Sequence, residues 1–259
     1  MNNTLTLLLG VINHSPADSI NYRIADYLLH HIGEIDHLST SYLAKQCHVS
    51  KSAISRFCKT IGLEDFLDLQ LMLRSSHYLL EMSAFSYPFE QYVKDIKNNM
   101  TLLSAVSTSE LITDLYRYQS VSVMGHMQSH LAASNLQYSL SQFGRFVRCS
   151  DQIQKQKEMI LQAGNQDLII IFSASGKFLE RLFVRQEQFQ RCKARIYVIS
   201  FEPKSVLPSF IYQWITLPSV AHQSVMTVMF MIFSQKIFFD YIQYIQSVSE
   251  NETENINLK

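Results

Sequence analysis

The chain predicts a multidomain protein: an all-α helix-turn-helix domain followed by an α/β doubly wound parallel-sheet domain. Three observations carry this. Between Ser39 and Gly62 apolar residues recur at helical spacing on two short segments joined by Cys47-His48-Val49, the length of connection a helix-turn-helix uses. After Gln119 short runs rich in β-branched residues alternate with stretches long enough for crossover helices. The runs Leu168–Phe172 and Ile196–Ser200 are apolar nearly throughout, as parallel strands covered on both faces must be.

Taken in order, Ser15-Pro16-Ala17-Asp18 has the form of a capping box with Pro at the first helical position. Behind it Ile20, Ile24, Tyr27, Leu28 and Ile32 recur at helical spacing, with Gly33 as a stop. Ser39 and Ser50 stand where N-caps belong, each offering a hydroxyl to amides the first turn leaves unpaired. Leu43, Ala44 and Cys47 make the inner face of the first helix; Ala53, Ile54, Phe57 and Ile61 that of the second, with Val49 from the turn. A further helix is expected from Glu64 to Leu73, completing a helix-turn-helix domain over 1–76. Residues 77–108 are expected to be a helical connector, broken at Tyr87-Pro88 and resuming as an amphipathic helix through Tyr92, Ile96, Met100 and Leu103. The second domain, 109–248, opens with a short helix at Leu111–Tyr116. Its strands are expected at Val121–Met124, Leu168–Phe172, Ile196–Ser200 and Trp214–Leu217, and its crossover helices at Leu131–Phe143, Ile153–Ala163 and Leu179–Arg191. The Met- and Phe-rich helix from Gln223 suits a core or a subunit interface, and 249–259 is a polar tail expected to fray.

Composition narrows the class. With 259 residues, 47% of them apolar, the chain can bury real cores. No apolar run long enough to span a bilayer is read, and the Leu-rich start lacks a basic region and a cleavage site, so the expectation is a cytoplasmic protein without a membrane partner. Cys47, Cys58, Cys149 and Cys192 form no CxxC pair and read as buried reduced thiols. Charge is balanced overall, 22 basic against 22 acidic residues, yet Leu38–Leu63 carries four Lys or Arg and no Asp or Glu. Subtracting the buried face of the second helix leaves Lys51, Ser52, Ser55, Arg56 and Lys59 outside, cations and small hydroxyl donors suited to phosphate and to the electron-rich edge of guanine. The alternative is the solvated face of a small helical bundle.

The run L-A-K-Q-C-H-V-S-K-S-A-I-S-R-F-C-K-T-I-G-L-E-D-F, within the span Ser15–Leu73, resembles the N-terminal domain of the RpiR (MurR/RpiR) family of bacterial transcriptional regulators. His48 departs from the pattern, since many such units place Gly there; a side chain at that point must take a left-handed turn, which His tolerates better than a branched residue.

In a doubly wound sheet the ligand lies beyond the carboxyl ends of the strands where their order reverses. Two loops fall there: Gly125-His126-Met127-Gln128-Ser129 and Ser173-Ala174-Ser175-Gly176-Lys177. Helix amides, serine hydroxyls, a glycine that permits close approach and a lysine charge together suit an anion such as a phosphorylated small molecule. The stretch Leu111–Gln246 resembles the sugar isomerase (SIS) domain, a flavodoxin-like fold and the usual partner of RpiR-type heads. The resemblance rests on V-x-V-M-G-x-x-x-S from Val121 and D-L-I-I-I-F-S-A-S-G from Asp167. It implies that Ser129, Ser173 and Ser175, with Gly125, Gly176 and Lys177, line a phosphosugar pocket. Met127 stands where a second Gly is usual and Phe178 where Thr or Ser is usual, each setting an apolar side chain beside the expected phosphate. The implied protein is a regulator of carbohydrate genes that binds a double-stranded DNA operator and a sugar phosphate effector as a homodimer or homotetramer, not an enzyme. An isomerase needs a general base, and His126, His130, Glu180 and His222 lie in no context that suits one. No cofactor motif is read, and His126 and His130, four apart, lack a third ligand for a metal.

Overall fold

The computed structural model describes residues 4–32, 38–83, 87–182, 192–220 and 222–257. It divides into two compact units, Met1–Pro88 and Phe89–Lys259, each built around its own core.

The first unit is helical. Helix α1 (Thr4–His14), which the sequence reading does not foresee, packs on α2 (Ile20–His30) and on α5 (Phe66–Ser83), burying Leu8 completely. Its presence corrects the capping box: the Ser15 amide still bonds to Val11 O and Ser19 N to Pro16 O, so Ser15–Asp18 is the turn between two helices. Ser19 is the true N-cap of α2, its hydroxyl accepting from Tyr22 N at 3.1 Å. Gly33 lies outside the described residues. Helices α3 (Thr40–Gln46) and α4 (Lys51–Thr60) form the expected pair, capped by Ser39 and Ser50 through Tyr42 N and Ala53 N. Ile24, Leu28, Leu43, Ile54, Phe57, Leu69 and Leu73 close one core among the four helices α2 to α5. Helix α5 starts at Phe66 rather than Glu64, because the Asp65 carboxylate takes the Asp68 amide as a cap would, and it runs on to Ser83.

The second unit is an α/β sandwich. Helices α6 (Phe89–Ser104) and α7 (Ser109–Arg117) lead into β1 (Ser120–Gly125), α8 (Gln128–Gln142), β2 (Arg148–Ser150), α9 (Ile153–Leu161), β3 (Asp167–Phe172), α10 (Lys177–Leu182), β4 (Arg195–Ser200), β5 (Gln213–Thr216) and α11 (Gln223–Asn257). The sheet is wholly parallel in the order β2-β1-β3-β4-β5. The stretch 77–108 is therefore not one connector: its first residues end α5, and α6 packs on α11 inside the second unit. Strand β2, three residues long and half exposed, carries no apolar run for a sequence reading to find. Met124, Ile169, Ile171, Ile196 and Val198 face α9 and α10, joining Met159, Ile160, Phe178 and Leu182 in one core, while α11 meets the sheet where Phe230 packs edge-on to Phe172.

Residues 249–257, expected to fray, continue α11 as helix. Within it Gln223–Glu250 is long and apolar enough by length and composition to cross a membrane, a run the sequence reading does not recognise. Here it serves as a core helix: Val225, Met229, Phe230, Phe233 and Ile237 are buried, and it packs on α6, α7 and α8.

Candidate nucleic-acid interface and ligand site

In the first unit the turn between α3 and α4 is fixed by a Schellman pair: Val49 N bonds to Ala44 O and His48 N to Lys45 O. That motif requires a left-handed residue, and His48 supplies it with φ of 53°. The same closure recurs after α4, where Gly62 at φ 83° does the work. With Ala53, Ile54, Phe57 and Cys58 turned inward, α4 presents Lys51, Ser52, Ser55, Arg56 and Lys59, all five exposed. Ser52 shares a hydrogen bond with Ser50 and Ser55 bonds back to Lys51 O. Among the described residues no carboxylate pairs with Lys51, Arg56 or Lys59, so the ridge keeps its full charge. A separate open cleft of about 430 Å³, lined by Arg23, His31 and His48 among others, includes none of these five residues. Burial raises the thiols of Cys47 and Cys58 to about 11, keeping both protonated at neutral pH.

In the second unit strand order reverses between β1 and β3, and both expected loops stand there. Gly125 lies opposite Phe172 in the ladder, so His126 and Ser173 leave adjacent strands side by side. Gly125 is required: a Cβ on it would sit 2.5 Å from Ser129 O in the first turn of α8. Helix α8 begins at Gln128, three residues before the expected Leu131, which sets Ser129 in that first turn, nearly buried. Met127, just before the helix, holds φ 54° and ψ −122°, a conformation natural to glycine. On the other loop Ser173 is 1% exposed, Ser175 is half-buried, and Gly176 adopts φ 74° with the Trp214 ring so close that a Cβ would meet it at 2.9 Å. The Lys177 and Glu180 side chains lie outside the described residues.

The two loops are tied by rings. Phe178 does not project into open space beside a phosphate; it belongs to the core with Met159 and Ile160, and its ring stacks on His126 at 5.3 Å and 12°. The sequence reading also misses Gln156. It lies on α9, completely buried, and its Nε2 donates to Gly125 O at 2.8 Å and Ser150 O at 2.6 Å, joining the carboxyl ends of β1 and β2. One of two glutamines in a short amphipathic helix, Gln156 gives no sequence signal that it points inward. His130 hydrogen-bonds Ser134 at 2.9 Å and sits 3.8 Å from the Cys149 thiol, whose pKa is raised by burial, so its ring is taken up inside its own helix and strand. Among the described residues no group of three or more His, Cys, Asp or Glu is placed to hold a metal.

The amino-terminal ends of the strands carry two polar clamps. Arg148 on β2 bonds Ser120 on β1 and pairs with Asp167 on β3 at 2.9 Å. Burial pushes the Asp167 carboxyl up, but the Gly164 amide, Ser120 and Arg148 outweigh it and hold the group below the usual carboxylate range. Farther along, Asp114 on α7 accepts from Arg195 and from Tyr197, both at 2.6 Å.

The first unit thus contains a helix-turn-helix domain and the second a doubly wound α/β domain with its candidate site at the strand-order reversal. Residues 14–78 match the helix-turn-helix domain of the rpiR family, so the chain carries an rpiR-type head. The HTH-type transcriptional regulator GlvR of Bacillus subtilis (strain 168) is 24% identical over 166 residues, which is 64% of this chain and 65% of GlvR. The fold of the NanR protein of Vibrio vulnificus, solved in complex with ManNAc-6P, covers 99% of both chains with a TM-score of 0.51 at 14% identity. The c3406 protein of E. coli CFT073 covers 61% of this chain and 87% of its own with a TM-score of 0.51 at 13% identity. The chain thus joins an rpiR-type helix-turn-helix head to an α/β body whose fold it shares with NanR and c3406.

Proposed function

We propose that the chain is a cytoplasmic DNA-binding transcriptional regulator of carbohydrate genes, controlled by a sugar phosphate bound at the β1–β3 reversal. The observation that carries it is the outward face of α4: five polar residues, three of them cationic, with no acidic partner among the described residues, on a helix held rigid by a buried core. Lys51, Ser52, Ser55, Arg56 and Lys59 contact the duplex, Arg56 reading a guanine edge and the lysines meeting phosphate. Gly125, Ser129, Ser173, Ser175, Gly176 and Lys177 form the effector site, where α8 adds the amides of its first turn. The protein acts as a homodimer or homotetramer, because helix-turn-helix readers engage half-sites about 34 Å apart or a multiple of that. An effector with unequal affinity for two arrangements of the recognition helices shifts their population and with it occupancy of the operator. No catalytic step belongs to this reading: His126 is stacked on Phe178 and His130 is bonded to Ser134, so neither is poised as a base.

Selection from random duplex DNA by the full-length protein tests the first half; the expected result is enrichment of a two-fold-related site. Failure to enrich any sequence, even in dilute salt, overturns it. A second reading, in which the body only brings two chains together, is favoured by the burial of Ser173 and Ser129. Thermal shift against pentose and hexose phosphates separates the two, since a ligand at 100 times its dissociation constant adds about 2.7 kcal/mol of stability.

A further inference from the structure

Gln156 makes only half of the hydrogen bonds its side chain can make. Both atoms facing its Nε2 are carbonyl oxygens, so only the amide NH2 can turn toward them and the orientation of the group is fixed. Its Oε1 is thereby aimed away from Gly125 and Ser150, and no donor among the described residues reaches it, although the residue is 0% exposed. A buried acceptor left in this state calls for an explanation, because its desolvation is not repaid by the two bonds the amide NH2 makes.

A second buried atom in the same state lies one strand away. Ser173 Oγ has no partner among the described residues. The residue still belongs to the ladder through Ser173 N to Ile199 O. Ile169 and Ile171 face α9 and α10, so the alternation of the strand turns Ser173 to that same side, the side on which Gln156 stands. An acceptor and a hydroxyl, both buried and both without a partner among the described residues, therefore share one face of the sheet at the strand-order reversal.

We propose that Gln156 is a ligand-reading residue of this site, its Oε1 accepting a hydrogen bond from a hydroxyl of a phosphorylated sugar whose phosphate end is met by Ser173 and the first turn of α8. The proposal rests on the effector reading above and adds the group that tells a sugar phosphate from bare phosphate. An amide oxygen only accepts, so it rewards a donor, and a polyol supplies several.

The test is titration of the full chain with inorganic phosphate, ribose 5-phosphate, glucose 6-phosphate, fructose 6-phosphate and N-acetylglucosamine 6-phosphate, in the wild type and in Gln156→Met. At least one sugar phosphate is expected to bind the wild type at least about tenfold tighter than phosphate, and in Gln156→Met that advantage is expected to vanish while affinity for phosphate persists. A variant that keeps the advantage overturns the role of Gln156 and leaves the site standing. A wild type that binds none of the five compounds overturns the site itself. Should Gln156→Met fail to fold, single-deoxy analogues of the best sugar on the wild type decide: one is expected to lose about tenfold, and uniform indifference overturns the proposal.

Discussion

The two units carry their chemistry in opposite ways. On α4 the five candidate contacts are exposed and make only local bonds within the helix and its cap, whereas at the β1–β3 reversal Ser129, Ser173 and Gln156 are buried and built into the packing. The difference follows from the ligands each site suits. A duplex is large and stiff and comes to a protruding ridge, so the protein need only hold its cations outward on a firm helix. A small anion must be surrounded, and groups that surround it must lie where strands and helices meet. Substitutions should therefore separate function from stability in the head and entangle them in the body.

Gly125→Ala should show the largest effect. The new Cβ would meet backbone atoms of Ser129 and His130 between 2.5 and 2.8 Å, and backbone cannot swing aside as a side-chain tip can. Overpacking of this kind costs about 3 kcal/mol, visible as a lower urea midpoint. Arg56→Ala is the counterpart in the head: it should weaken binding to the selected DNA site by about 1–3 kcal/mol. Its unfolding midpoint should stay within about 0.5 kcal/mol of wild type, because the side chain is exposed and has no ion-pair partner among the described residues. If Arg56→Ala destabilised the fold, or Gly125→Ala left it untouched, the contrast would fail.

The same contrast governs how much the sequence discloses. Exposed residues on α4 follow from subtracting its apolar face, so Lys51 to Lys59 were legible before any coordinates. Fold class was legible too, since buried parallel strands betray themselves as unbroken apolar runs such as Leu168–Phe172. Short or half-exposed pieces were not: β2 has only Arg148, Cys149 and Ser150 to announce it, and α1 hides behind a Leu-rich start that could be many things. Nor could spacing place Gln156. Its inward turn depends on which face of α9 meets the sheet, and the flanking charged residues give it the look of a solvated position. Phe178 reads as a departure and His126 as a loop histidine, but spacing does not pair them, because the stack joins a loop residue to the first turn of α10.

A smaller effect should distinguish the two non-glycine residues held at positive φ. His48 at φ 53° satisfies a Schellman turn that His accommodates, whereas Met127 combines φ 54° with ψ −122°, a region open chiefly to glycine. Met127→Gly should raise stability by about 1 kcal/mol through release of backbone strain, and His48→Gly by less. Equal gains at both sites would mean that the strain lies in the sign of φ alone. Since Met127 introduces the helix that carries Ser129, the relieved variant should also keep any affinity for phosphate that the wild type has.

The smallest effect belongs to the amino-terminal end of the sheet, where Asp167 joins β3 to β1 and β2 through Arg148. Its carboxyl is held below the usual range in the folded chain, so over that range the unfolded chain binds more protons and stability rises with pH. The contribution is fully present above the ordinary aspartate value of about 3.9 and is lost as pH falls through the lower, folded value. Because the pair is partly exposed, the loss should be under about 1 kcal/mol. Comparing urea midpoints at pH 5 and pH 3 isolates it: the drop should be smaller in Asp167→Asn than in wild type, whose remaining carboxylates titrate in both. An identical drop would mean that the Arg148–Asp167 clamp adds nothing to the sheet.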